Sequence, residues 1–139
     1  MQRSKIFVYM ITGLMLFLAS CGKAKTGEAL PEQLDIYFFH ETICASCDGT
    51  EEFFDLINEE LADVRELYPY RIITANIFQT EGRMDYERIT DQFGLNRDNL
   101  SMPLMIIDGQ VFSGLEIIGD NLRETYLAAG EELFVRDGV

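Results

Sequence analysis

From residue 34 onward, short unbroken apolar runs alternate with longer stretches in which apolar residues recur every three or four positions. The first kind reads as buried strand and the second as amphipathic helix. Leu34 to Phe39 (LDIYFF) is apolar on both faces, β-branched and aromatic, which predicts a buried strand. Phe53, Phe54, Ile57, Leu61, Val64 and Tyr68 then fall at helical spacing with acids between them, and Pro69 ends the run. Tyr70 to Phe78 (YRIITANIF) predicts a second strand, and Met84, Ile89 and Phe93 trace a second helical stripe closed by Gly94. After a polar loop, Asn96 to Ser101, Leu104 to Asp108 (LMIID) predicts a third strand. Asp108-Gly109 is a strong hairpin signal into Gln110 to Ser113, and Gly114 breaks that strand. Asp120 or Asn121 is placed to cap a last helix carrying Leu122, Tyr126 and Leu127 and continuing through Leu133. The order β-α-β-α-β-β-α predicts an α/β fold with a mixed four-stranded sheet: the first two strands parallel, the hairpin antiparallel.

The N-terminus follows a different pattern. Arg3 and Lys5 precede an almost unbroken apolar stretch, Ile6 to Ala19. Its 14 residues are short for a bilayer span, which takes about 20, and a secretory signal fits better. Leu18-Ala19-Ser20-Cys21 resembles the lipobox of bacterial lipoproteins, a branched apolar residue and two small ones before cysteine. That resemblance implies removal of residues 1–20 and a thioether-linked diacylglycerol, with fatty acyl chains such as palmitate, on Cys21. A plain signal peptide and an uncleaved anchor are the alternatives. Residues 21–33 are small and polar, include Pro31, and read as a lipidated flexible tether. One domain, 34–139, follows.

Charge sharpens this picture. The chain has 139 residues with 11 Lys+Arg against 24 Asp+Glu, a net charge of −13. Loss of Arg3 and Lys5 with the leader leaves 9 against 24, or −15. Such a body argues against nucleic acid as a partner, since phosphate binding needs clustered Lys and Arg. Anionic headgroups repel it as well, so any hold on a membrane comes from the lipid on Cys21. With 47% hydrophobic residues the chain can bury a core, and three cysteines are too few for a disulfide-stapled miniprotein.

Two of those cysteines carry the candidate chemistry. Cys44-Ala45-Ser46-Cys47 stands where the first strand hands over to the first helix. Positions i and i+3 of a starting helix share a face, so the sulfurs can close a disulfide. Unpaired N–H groups at a helix start stabilise a thiolate, which makes Cys44 the natural nucleophile and Cys47 the resolving thiol. Two other arrangements remain open. Asp48-Gly49-Thr50-Glu51 looks like a capping box of its own, which would leave the dithiol in a loop, and an exported protein also uses such pairs as inert structural disulfides.

A strand leading into CxxC, a helix, a second βα unit, then X-Pro, a hairpin and a terminal helix resembles the thioredoxin fold. The stretch QFGL…SMPLMIIDGQVF is similar to the corresponding part of thioredoxins. The resemblance spans about residues 34–130. It implies a three-layer thioredoxin-like domain, a cis Pro103 facing the Cys44–Cys47 pair, and a Met102 backbone that pairs with an extended substrate segment. Without the resemblance, Pro103 reads simply as a strand start. The activity implied is thiol–disulfide exchange with protein thiols and disulfides, with no separate cofactor or metal. The leader and lipobox place that activity outside the cytoplasm, and the short tether makes a membrane protein the expected redox partner for recycling.

This chain departs from the thioredoxin pattern in two places. Ile43 replaces the Trp common before the first cysteine, and Phe38 occupies the position of a buried acid that serves the resolving thiol. Proton transfer then falls to water, Glu41 or His40, the only histidine. Glu41, Asp48, Glu51 and Glu52 flank the dithiol, and no Lys or Arg occurs between Lys25 and Arg65. Like charge disfavours the thiolate and with it the reduced form, which points to a reductant rather than a strong oxidant. Two other classes stand beside this one. A redox-inactive thioredoxin-like module would bind a partner without chemistry. A CxxC domain would hold Cu(I), with His40 as a third ligand.

Overall fold

The computed structural model describes residues 32–43 and 50–136. Their elements are β1 (Leu34–His40), α1 (Glu51–Glu60), β2 (Tyr70–Asn76), α2 (Thr80–Gln92), β3 (Leu104–Ile107), β4 (Gln110–Ser113) and α3 (Leu115–Glu131). A 3-10 turn covers Arg97–Asn99, and a π-type turn, Glu132–Arg136, extends α3. The chain is thus α/β, with three helices and a mixed four-stranded sheet among the described residues. Strand order is β2-β1-β3-β4. β1 runs parallel to β2, with His40 opposite Asn76, and antiparallel to β3, with Phe39 opposite Leu104. None of the described helices is long and apolar enough to cross a membrane.

Because successive strand residues point to opposite faces, β1 feeds two cores. Leu34, Ile36 and Phe38, with Met105 and Ile107 of β3, pack against Phe53, Ile57 and Leu61 from the α1 segment and Ile118, Leu122 and Tyr126 of α3. On the other face, Tyr37, Phe39, Ala75, Leu104 and Ile106 pack against Ile89 of α2. β3 is buried at all four positions, as a strand covered on both faces must be. Each large apolar side chain so buried stabilises the fold by about 1.5–3 kcal/mol before entropy is subtracted.

Turn chemistry sets the joints. Asp108 and Gly109 both have positive φ, 48° and 75°, which closes β3 and β4 in the mirror-image turn that matches strand twist. α2 ends in a Schellman motif: Leu95 N–H bonds to the Thr90 carbonyl and Gly94 N–H to that of Asp91.

Three expectations from the pattern need correction. The first helix does not run from Phe53 to Tyr68. It ends at Glu60, and residues 61–67 form successive turns through Leu61 and Val64, both still buried. There the Val64 and Tyr68 carbonyls lie against the Tyr126 hydroxyl. Met84 is 63% exposed and leaves the second stripe, whose place on the sheet is taken by Ile89 with Tyr86 and Phe93. The last helix starts at Leu115, not at Asp120 or Asn121. Gly114, at φ 89°, turns the chain out of β4, and Leu115, Ile118, Leu122, Tyr126 and Ala129 form one continuous stripe. Asn121 is internal to that helix and spends its side-chain amide on the Ile117 carbonyl, 2.8 Å away.

Candidate functional site

β1 ends at His40, and the chain then passes along one edge of an open cavity of about 240 Å³. Phe38, His40, Glu41, Thr42, Glu52, Met102, Pro103 and Leu115 line it. Antiparallel pairing of β1 with β3 produces this meeting: Phe39 sits opposite Leu104, so the residues just ahead of Leu104 fall beside those just after Phe39. Met102 and Pro103, about sixty positions downstream, thereby share a cavity with His40 and Glu41. The Met102–Pro103 peptide is cis. The Pro103 carbonyl accepts a hydrogen bond from Gly114 N–H at 2.8 Å, which ties the segment ahead of β3 to the start of α3.

Cys44 and Cys47 lie outside the described residues, as do Asp48 and the lipidation candidate Cys21. Ile43, the last described residue before the dithiol, is 91% exposed. On the far side the chain resumes at Thr50, which is buried and is the N-cap of α1, and the Phe54 N–H closes the first turn on the Thr50 carbonyl. The described helix therefore opens at Glu51.

The cavity is aromatic beneath and polar at its rim. Phe38 is fully buried and stacks on Phe53 at 4.0 Å between ring centroids. The His40 ring stacks over Phe38 at 5.9 Å and places Nδ1 2.8 Å from the Thr42 hydroxyl. Such a bond biases which ring nitrogen carries the proton and directs the other one elsewhere. Glu41 and Glu52 are exposed at the rim. Among the described residues no group of three His, Cys, Asp or Glu side chains is arranged to hold a metal.

Asn76, at the end of β2, is a site residue that the sequence pattern did not single out. Its amide donates to the Thr42 carbonyl at 2.8 Å. Its oxygen accepts from Phe78 N–H at 3.0 Å and, at 3.4 Å, from Thr42 N–H. The side chain thus clamps the backbone two residues before Cys44. Only the register of β1 on β2, with His40 across from Asn76, reveals the pairing. Asn76→Ala is expected to cost about 1–3 kcal/mol, because it leaves part-buried backbone groups without partners. The amides of Thr42 and Phe78 should then exchange hydrogen at least about tenfold faster. Asn76→Asp should keep the Phe78 contact and lose the Thr42 carbonyl. Unchanged exchange in both variants would remove Asn76 from the site.

No protein-family model matches the chain, and no significant match was found to a curated protein or to a solved structure.

Proposed function

We propose that this chain is a thioredoxin-like thiol–disulfide exchange protein, exported and held at a bacterial membrane by a lipid on Cys21. One observation carries the reading: Met102 and Pro103 share a solvent-open cavity with His40, Glu41 and Thr42, the residues that lead into Cys44. A partner chain laid along Met102 would run beside His40, Glu41 and Thr42, which precede Cys44 in the chain. The β-α-β-α-β-β-α order over the described residues supports the same reading.

The Cys44 thiolate attacks one sulfur of a substrate disulfide. The substrate S–S bond breaks, a mixed disulfide forms, and the departing substrate thiolate takes a proton from water. Cys47 then attacks Cys44 Sγ, closing the Cys44–Cys47 disulfide and releasing the second substrate thiol. Two electrons pass to the substrate, and a partner dithiol at the membrane must return them. Among the described residues no Lys or Arg lines the cavity, and Glu41 and Glu52 stand at its rim. That charge disfavours the thiolate and supports a reducing rather than strongly oxidising role.

Cys47→Ser should stall the reaction as a covalent adduct. Full-length protein carrying that change, recovered from cells under acid quench, should bring substrate proteins that a reductant releases. Adding Cys44→Ser should abolish their recovery. Equal recovery from both forms would leave a redox-inactive binding module as the better account.

A further inference from the structure

The cavity beside His40 does not end at Glu52 and Leu115. These two residues also line a second, larger groove of about 380 Å³, completed by Asp55, Leu56, Glu59 and Glu116. Glu52, Leu56 and Glu59 are spaced i, i+4, i+7 and so share one face of α1. Leu115 and Glu116 open α3 across from them. Leu56 and Leu115 make an apolar floor, and Leu56 reaches Gly119 so closely that a Cβ there would stand 3.2 Å from its Cδ2.

The walls of the groove are unusual in charge. Glu52, Asp55, Glu59 and Glu116 are all exposed, and none takes part in an ion pair among the described residues. Further along, the α1 segment and α3 are matched: Arg123 of α3 pairs with Asp63 and also reaches the Glu60 carbonyl. One end of the helix interface is therefore neutralised from within. The end that adjoins the candidate site sets acid against acid over an apolar floor, an arrangement that an external cation would relieve.

We propose that this groove selects the substrate: a disulfide-bearing protein segment in which Lys or Arg flanks an apolar residue. The apolar side chain seats between Leu56 and Leu115, and the cations meet Glu52, Asp55, Glu59 and Glu116, which places the scissile disulfide beside Met102 and Pro103. The inference rests on the exchange reaction proposed above and names the substrates it acts on. The net charge of −13 draws a basic partner to the protein and repels a second copy, and the apolar floor marks where such a partner seats.

The test uses reduced full-length protein and three probes. Two are fluorogenic disulfide peptides of equal length, one with Lys-Leu-Lys and one with Glu-Leu-Glu beside the cysteine; the third is neutral hydroxyethyl disulfide. At low ionic strength the basic peptide should be reduced at least about tenfold faster than the acidic one. The ratio should fall below about threefold in 0.5 M salt and in the triple variant Asp55→Asn, Glu59→Gln, Glu116→Gln, which leaves the His40 cavity intact. Hydroxyethyl disulfide carries no charge and reports the exchange step alone, so each peptide rate is divided by the rate the same protein shows with it. Reduction of hydroxyethyl disulfide with equal rates for the two peptides overturns the groove and leaves the redox reading standing. No reduction of any probe overturns both. Peptide rates that separate only after Lys23→Gln and Lys25→Gln assign the groove to the chain's own N-terminal segment and overturn the inference.

Discussion

Alanine at Gly82 is expected to destabilise the protein by about 3 kcal/mol, although alanine is the better helix former. Gly82 is buried in the first turn of α2, and a Cβ built there would stand 2.1 Å from the Asn76 carbonyl oxygen and 2.7 Å from its carbon. Those atoms belong to the end of β2 and have no rotamer by which to move aside. Either α2 lifts from the sheet, loosening Ile89 in its core, or the end of β2 shifts. In the second case Asn76 carries the displacement to Thr42 and so to the chain entering the dithiol. Thermal unfolding should fall by more than about 10 °C. Gly119→Ala is the internal control, because the nearest atom there is the terminal methyl of Leu56, and it should change stability by less than about 1 kcal/mol. Equal effects of the two substitutions would show that α2 has room beside Asn76 for a methyl group.

Removing Tyr126 should cost still more, and in two separable parts. The side chain is fully buried, with Tyr68 and Tyr70 set edge-on to its ring at 6.0 and 5.6 Å. Its hydroxyl accepts from Tyr68 N–H at 3.1 Å and directs its proton to the Tyr68 carbonyl, 2.8 Å away, with the Val64 carbonyl at 3.2 Å. Burial raises the hydroxyl's pKa, so it stays a neutral donor. One side chain of α3 thereby satisfies backbone groups in the turns that join α1 to β2. Tyr126→Phe should lose about 1–3 kcal/mol, the cost of leaving the Tyr68 N–H and carbonyl unmatched, while the Val64 carbonyl keeps its bond from Leu67 N–H. Tyr126→Ala should lose about 3–5 kcal/mol, as the ring leaves a cavity at the meeting of α1, β2 and α3. Urea unfolding of the two variants measures the parts directly. A phenylalanine variant as stable as the parent would mean that water replaces the hydroxyl and that the turns do not depend on α3.

These two sites also separate what local pattern carries from what assembly adds. Element types and their order were readable because strands covered on both faces need continuous apolar runs and helices need a spaced stripe; LDIYFF and LMIID met the first demand, and Ile57, Leu61 and Ile89 the second. The Asp108-Gly109 turn was equally plain, since few residue pairs accept two successive positive φ values. Helix ends were less legible. The Phe53–Tyr68 periodicity runs past Glu60 because Leu61 and Val64 must still be buried, while the partner of the Tyr68 N–H and carbonyl is the hydroxyl of Tyr126, distant in the chain. Asp120 and Asn121 carry the chemistry of a cap, yet the positive φ of Gly114 had already started the helix six residues earlier.

The candidate site divides along the same line. Cys44, Cys47, Met102, Pro103, His40 and Glu41 were named from spacing and resemblance, and the cavity contains the four of them that the structure describes. Nothing in the linear order pointed to Asn76, Leu115 or the confrontation of Glu52, Asp55 and Glu59 with Glu116. Side-chain type and period are properties of neighbours along the chain, and a single strand or helix expresses them locally. Which distant backbone a side chain clamps, and which charges face each other across a groove, depends on strand register and on where two helices come to rest over one sheet, and those are set only when the whole core packs.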